Sequence, residues 1–163
     1  MATPFRVELV TPERVLFSGE AEEVSLRTDE GEISFLAKHE DFIGAVDITC
    51  CRITPAGGDD AHPLLVAIHG GFVHVNEDGV KLLAGVAELG TEIDVERARA
   101  ALSTAESQVG TEPQAHAEDA AEHGAGVAPS PAVLALLEPD APEQAVRRAR
   151  VRLEAAGAVA QHN

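Results

Sequence analysis

The sequence predicts an α+β fold: an N-terminal antiparallel β-sandwich or barrel, then a C-terminal two-helix hairpin interrupted by a long flexible linker. Three observations carry this. From Arg6 to about Glu88 apolar and polar residues alternate with period two, broken by turn chemistry every eight or so residues. At Thr91 to Asp94 the period lengthens to three and four residues. Between the two helical stretches, Thr111 to Ala141 is rich in Ala, Glu, Gly and Pro, with six acidic residues and no basic ones.

The expected turns in the first segment are TPE at Thr11–Glu13, SGE at Ser18–Glu20, DEGE at Asp29–Glu32, PAGGDD at Pro55–Asp60, HGG at His69–Gly71 and NEDG at Asn76–Gly79. Asp78-Gly79 is a hairpin signal, because glycine takes positive φ without steric cost, and FVHV and VKLLAGV flank it as paired strands. Asp94 is placed to cap a helix with Val95, Ala98, Leu102 and Ala105 as its apolar stripe, Glu96 and Arg99 outside, and an end at Gly110. A second helix is expected from Pro142, with Glu143 near its positive end, to Gly157. Its expected stripe is Ala145, Val146, Ala149 and Leu153, and Arg147, Arg148, Arg150 and Arg152 follow toward the C-terminal half. The divisions are a sandwich over 1–90, a first helix over 91–110, a linker over 111–141, expected to be disordered apart from a short apolar turn at Val133–Leu137, and a second helix with its tail over 142–163. Such a linker buries too little apolar surface to offset its ordering entropy.

Composition narrows the function. With 28 acidic against 12 basic residues the formal net charge is -16, which repels nucleic-acid backbones and anionic lipid. Five Phe and no Trp or Tyr leave no stacking platform for bases. No window approaches the roughly 20 apolar residues that span a bilayer, and the N-terminus lacks the apolar stretch of a signal peptide, so direct membrane insertion is not expected. Cys50 and Cys51 are adjacent, so in a strand they point to opposite faces and do not bridge each other; both are read as reduced.

Three segments in order, VELVTPERVLFSGEAEEVSLRTDEGEISFL at Val7–Leu36, AIHGGFVHV at Ala67–Val75 and IDVERARAAL at Ile93–Leu102, resemble the bacterial epsilon subunits of F-type ATP synthases. The resemblance covers about residues 5–109 and 142–156. It implies a non-catalytic rotor subunit of the central stalk, on the cytoplasmic face of the bacterial membrane, with three partners: the gamma subunit, the membrane rotor ring, and the alpha and beta subunits of the catalytic head. It also implies C-terminal helices that either rest on the sandwich or extend to block ATP hydrolysis.

The same resemblance assigns site residues. EGEISFL at Glu30–Leu36 is similar to the family turn whose second acidic residue faces the rotor ring, which gives that role to Glu32. The next family segment, usually PGHAPL, reads Ala37-Lys38-His39-Glu40-Asp41-Phe42, and His39 carries over as a gamma contact. HGG at His69–Gly71 matches the family hairpin before the strand Phe72–Val75, its glycines serving backbone geometry. Glu88, Ile93, Asp94 and Arg97 resemble the nucleotide-binding signature, with Arg148 and Arg152 matching the basic pair of the opposing helix. Asp94 and Arg97, three apart, share a helix face, as do Arg148 and Arg152, four apart, and guanidinium groups pair with phosphate in bidentate fashion. No cofactor is required by this reading; ATP enters as a regulatory ligand. A further family arginine falls on Thr104 here, and one such contact is worth on the order of 1.5 to 3 kcal/mol.

Simpler readings stand beside these. DEGE is an acidic turn, His39 a surface histidine, Asp94 a helix cap, and the C-terminal arginines a solvated face favoured by the helix dipole. A rival function is a metal-dependent β-sandwich enzyme using His39, His69 and His74 with Glu40 or Glu77, although no HxH or HxxxH pair is present. A third is a free-standing interaction module.

Overall fold

The computed structural model describes residues 3–57, 62–109 and 141–160, with side chains to 157. Seven strands, β1 (Phe5–Val10), β2 (Val15–Thr28), β3 (Gly31–Phe35), β4 (Phe42–Pro55), β5 (Leu64–Asn76), β6 (Gly79–Ala84) and β7 (Ala87–Leu89), precede a 3-10 turn at Gly90–Glu92. Two helices follow, α1 (Val95–Val109) and α2 (Pro142–Ala160). The strands pair in the order β1-β6-β5-β4-β2-β3, and β1 also pairs with β2, so five strands close into a ring that β3 and β7 extend. One pairing departs from the antiparallel expectation: β1 runs parallel to β6, with Val7 opposite Val80 and Leu9 opposite Leu82.

The alternation seen in the sequence becomes the inside and outside of this barrel. Val7, Leu9, Val24, Ile53, Val66 and Leu82 point inward and are 0–1% exposed, and Phe35 is the largest fully buried side chain. Short aliphatic residues thus fill a core that has few aromatics to use. Cys51 joins that core while Cys50 faces the other way and is half-buried; both are free, as the strand geometry required.

Two expected turns are absent. β2 runs unbroken through Ser18-Gly19-Glu20, whose residues pair with Glu8, Val7 and Arg6 of β1, because the strand crosses from β1 to β3 and β4 instead of turning. β5 likewise continues through His69-Gly70-Gly71, and its register with β4 holds across them, Ile48 opposite His69 and Val46 opposite Gly71. Here β5 changes its other partner, from β7 at Val66–Ile68 to β6 at Gly71–Asn76. Gly70 takes φ 94°, and a Cβ on Gly71 would lie 2.3 Å from the Leu83 carbonyl oxygen, so the glycines serve the crossing of strands. Other signals hold: Thr11–Glu13 leads from β1 to β2, Asp29-Glu30 joins β2 to β3 and Glu77-Asp78 joins β5 to β6, with Gly79 at φ 133°, while residues 58–60 of PAGGDD lie outside the described residues.

The Asp94 carboxylate accepts a hydrogen bond from the Arg97 amide at 3.0 Å and starts α1, whose Ala98 and Ala105 are buried. α2 continues past Gly157, and its buried residues are Ala149, Val151, Ala155 and Ala156. The expected stripe of Ala145, Val146, Ala149 and Leu153 is only part of this, because α2 has two covered faces, one against α1 and one against the sheet. Val151 and Ala155 pack on Ile48, Leu65 and Ala67, a small cluster separate from the barrel core. The expected linker, apart from Ala141, the stop at Gly110 and the last three residues lie outside the described residues.

Candidate functional site

At the seam of barrel and helices, β7 supplies Glu88, the 3-10 turn supplies Glu92, the start of α1 supplies Ile93, Asp94 and Arg97, and α2 supplies Arg152; together they border a cavity of about 380 Å³. Five of the six residues assigned to nucleotide binding therefore meet. Arg148 does not border the cavity, although its charge reaches His69 beside it.

Charges in the cavity are already engaged. Arg152 donates from Nε to Glu88 Oε1 at 2.7 Å and from Nη2 to the same oxygen at 2.5 Å. Arg14, from the β1–β2 turn, pairs with Glu92, which raises the arginine pKa and lowers that of the carboxyl. Asp94 spends one oxygen on the helix cap. Arg97 has no ion-pair partner among the described residues and is exposed. A phosphate entering here meets one free guanidinium and competes with Glu88 for a second. Thr104 points its hydroxyl back to the Ala100 carbonyl at 3.0 Å and replaces no phosphate ligand.

Behind Glu88 stands His69, its side chain 5% exposed, with Nε2 3.9 Å from Glu88 Oε1 and no hydrogen-bond partner at that nitrogen. Burial, helped by the nearby Arg152 and Arg148 charges and opposed by Glu88, lowers its pKa to about 4. The neutral imidazole lies within electrostatic reach of Arg148 and Arg152 of α2, a relationship the sequence concealed because HGG looked like a hairpin. Arg147 adds another tie, 2.5 Å from Asp47 of β4, and Arg150 pairs with Glu106 of α1 at 3.0 Å.

The other two assigned residues lie elsewhere. Glu32 is exposed on β3, opposite Arg27 of β2. His39 is half-buried, edge-on to Phe35 at a ring separation of 5.0 Å, with Nδ1 2.8 Å from the Glu40 carbonyl oxygen. Lys38 before it has φ 64°, holding a left-handed conformation where the family pattern places glycine. His39, His69 and His74 are not gathered with acidic residues: no group of three metal-ligating side chains occurs among the described residues.

One surface had no forecast. Register places Ala45, Phe72, Leu83, Val10 and Val15 in a row across β4, β5, β6, β1 and β2. Phe72, Leu83 and Val15 are 50%, 54% and 59% exposed, and Ile43 nearby is 74% exposed. Apolar side chains alternating with buried ones on the same strands form an uncovered sheet face.

Comparison with known proteins follows this geometry. A sequence profile of the ATP synthase delta/epsilon chain beta-sandwich domain matches residues 4–90. The ATP synthase epsilon chain of Streptomyces griseus is 38% identical over 118 residues, covering 72% of this chain and 93% of its own length. That of Thermobifida fusca is 45% identical over 103 residues, covering 63% and 74%. Among solved structures, a chain of the Euglena gracilis mitochondrial ATP synthase, OSCP/F1/c-ring, superposes with a TM-score of 0.61 at 21% identity, covering 98% of this chain and 82% of that one. A chain of the Tetrahymena thermophila mitochondrial ATP synthase central stalk and c-ring gives 0.52 at 14% identity, covering 95% and 98%. At these identities the structural matches speak for the fold.

Proposed function

The chain belongs to the ATP synthase epsilon chains, non-catalytic subunits of that complex, and from that premise we propose that it is a central-stalk subunit coupling gamma to the rotor ring and restraining ATP hydrolysis through a detachable α2. The observation that carries the regulatory half is the division of the apolar interior. The barrel has its own core, whereas α2 rests on it through the small cluster of Ile48, Leu65, Ala67, Val151 and Ala155 and two part-exposed ion pairs, Arg152–Glu88 and Arg147–Asp47. The barrel core does not include this cluster, so two states differing by a few kcal/mol are accessible to a ligand or partner.

The uncovered row of Phe72, Leu83 and Val15 supports a docking role. An apolar face of this kind on the closed barrel fits burial against gamma, with His39 at the neighbouring barrel end and Glu32 offered to the ring. Such an assembly puts the chain at the cytoplasmic face of the membrane without crossing it, and no described helix is long and apolar enough to cross.

ATP is the regulatory ligand of this reading. Binding at Arg97 and Arg152 favours the rested helix only if the released form lacks the site, as it does once Arg152 leaves Asp94 and Arg97. Calorimetry of the full chain with ATP tests it, with heat expected for the wild type and reduced in Arg97→Ala; no heat at millimolar ATP ends the nucleotide role. Binding to the gamma subunit of its own synthase tests the docking role, with loss expected on Phe72→Asp, and failure of the wild type to bind ends it.

A further inference from the structure

We propose that the cleft between α2 and the β2–β3–β4 face is a second anion site, one that takes a polyphosphate chain, either inorganic or carried by a nucleotide. The cleft has a volume of about 580 Å³ and shares no lining residue with the Arg97–Arg152 cavity. Four guanidinium groups border it, Arg27 from β2, Arg52 from β4, and Arg147 and Arg150 from α2.

Two features make this arrangement unusual. The chain has ten arginines and a net charge of -16, yet four of those arginines line one cleft whose lining carboxylates among the described residues are Glu32 and Glu154, with Glu23 accepting from the lining Ser25 hydroxyl at 2.7 Å. In addition, Arg27 and Arg52 form no ion pair among the described residues, although Glu32 stands opposite Arg27 across β2 and β3, so the strand side of the cleft presents two unpaired guanidinium groups to the paired ones of the helix. Like charges converging on a cleft raise the potential within it and favour an anion of multiple charge. Hydroxyl groups complete the lining: Ser25 and Ser34 lie 2.8 Å apart across β2 and β3, and Thr49 lies on β4.

Arg147 and Arg150 are not idle, and their partners define what a ligand must do. Arg147 pairs with Asp47, which is mostly buried, and keeps that bond. Arg150 pairs with Glu106 where both side chains are about half or more exposed, a bond of small net worth that an incoming phosphoryl group replaces. Planar guanidinium forks match phosphate oxygens in pairs, and a chain of two or three phosphoryl groups offers Arg27, Arg52 and Arg150 more oxygens than a single phosphate does. An anion held so bridges the barrel to α2, and it stabilises the rested helix from a side that the nucleotide cavity does not touch.

The test is calorimetry of the full chain with sodium triphosphate, using the wild type, the double variant Arg27→Ala/Arg52→Ala, and Arg97→Ala. Both strand arginines are exposed, so the double variant folds, which its thermal midpoint checks. Expected are binding by the wild type, a loss of at least tenfold in the double variant, no change in Arg97→Ala, and slower hydrogen exchange in α2 with triphosphate present. A run with ATP in Arg97→Ala, which removes the free guanidinium of the other cavity, separates the sources. Equal affinities there, both lost when Arg27→Ala/Arg52→Ala is added, mean that the phosphoryl chain alone is read; tighter ATP binding, lost on the same addition, means that a nucleotide carries it. No heat at millimolar triphosphate, wild-type binding by the double variant, or loss confined to Arg97→Ala overturns the proposal, and the last of these leaves the nucleotide role of the other cavity intact.

Discussion

Arg152 of α2 places Nη2 2.5 Å from Glu88 Oε1 on β7, with the arginine side chain 28% and the glutamate 35% exposed. This bond ties α2 to the barrel, and a phosphate entering the cavity competes with Glu88 for the same guanidinium. Part-exposed pairs are weakened by solvent, so a double-mutant cycle of Arg152→Ala and Glu88→Ala should give a coupling of about 1 kcal/mol. Hydrogen exchange should speed up in α2 in the single variants and stay unchanged in the barrel core.

His69 predicts a pH dependence. Buried and near Arg152 and Arg148 of α2, it has a pKa of about 4, and on the proposed release of α2 it should move toward the ordinary 6.5. The released form thus takes up the proton more readily. Docking is fully stable above pH 6.5 and weakens as the pH falls toward 4, by at most about 3 kcal/mol. Exchange rates in α2 measured from pH 7.5 to 4.5 should show this rise, and His69→Gln should flatten it.

Gly90 offers a way to release the helix without touching a charge. It is buried, and a Cβ there would lie 2.4 Å from the Ala155 carbonyl oxygen and 3.2 Å from that of Leu65. Because both neighbours are backbone, one must move, and α2 has the smaller hold. Gly90→Ala should make α2 accessible to protease at low enzyme ratio while the barrel survives; a fully protected α2 would show that the contact relaxes.

Phe72, opposite Leu83 on the uncovered face, should matter to assembly and not to folding. Phe72→Asp should leave the thermal midpoint within a degree or two and weaken binding to gamma by roughly tenfold to a hundredfold, the loss of one aromatic anchor.

Local chemistry made much of this fold legible. Alternation from Arg6 to Glu88, the Asp94 cap and the Asp78-Gly79 hairpin all depend on residues close in sequence, and the structure has each of them. What was illegible is non-local. Gly19 and Gly70-Gly71 looked like turns because a glycine at a strand crossing and a glycine in a turn have the same local signature, and only the partners β1, β6 and β7 tell them apart. The same holds for the site. Spacing brought Asp94 to Arg97, but the meeting of Glu88 with Arg152, and of Glu92 with Arg14 across 78 positions, depends on how α2 and the β1–β2 turn pack. Val151 escaped the expected stripe because a helix covered on two faces buries more than one stripe.

Whether α2 detaches to restrain the enzyme is decided by ATP hydrolysis of the catalytic head lacking this subunit. The head is assayed after adding back either the full chain or a version ending at Glu92, which keeps the barrel core entire. Both versions are expected to bind, and only the full chain to slow hydrolysis. Equal slowing by the shortened chain, or no slowing by the full chain, would contradict a restraining α2.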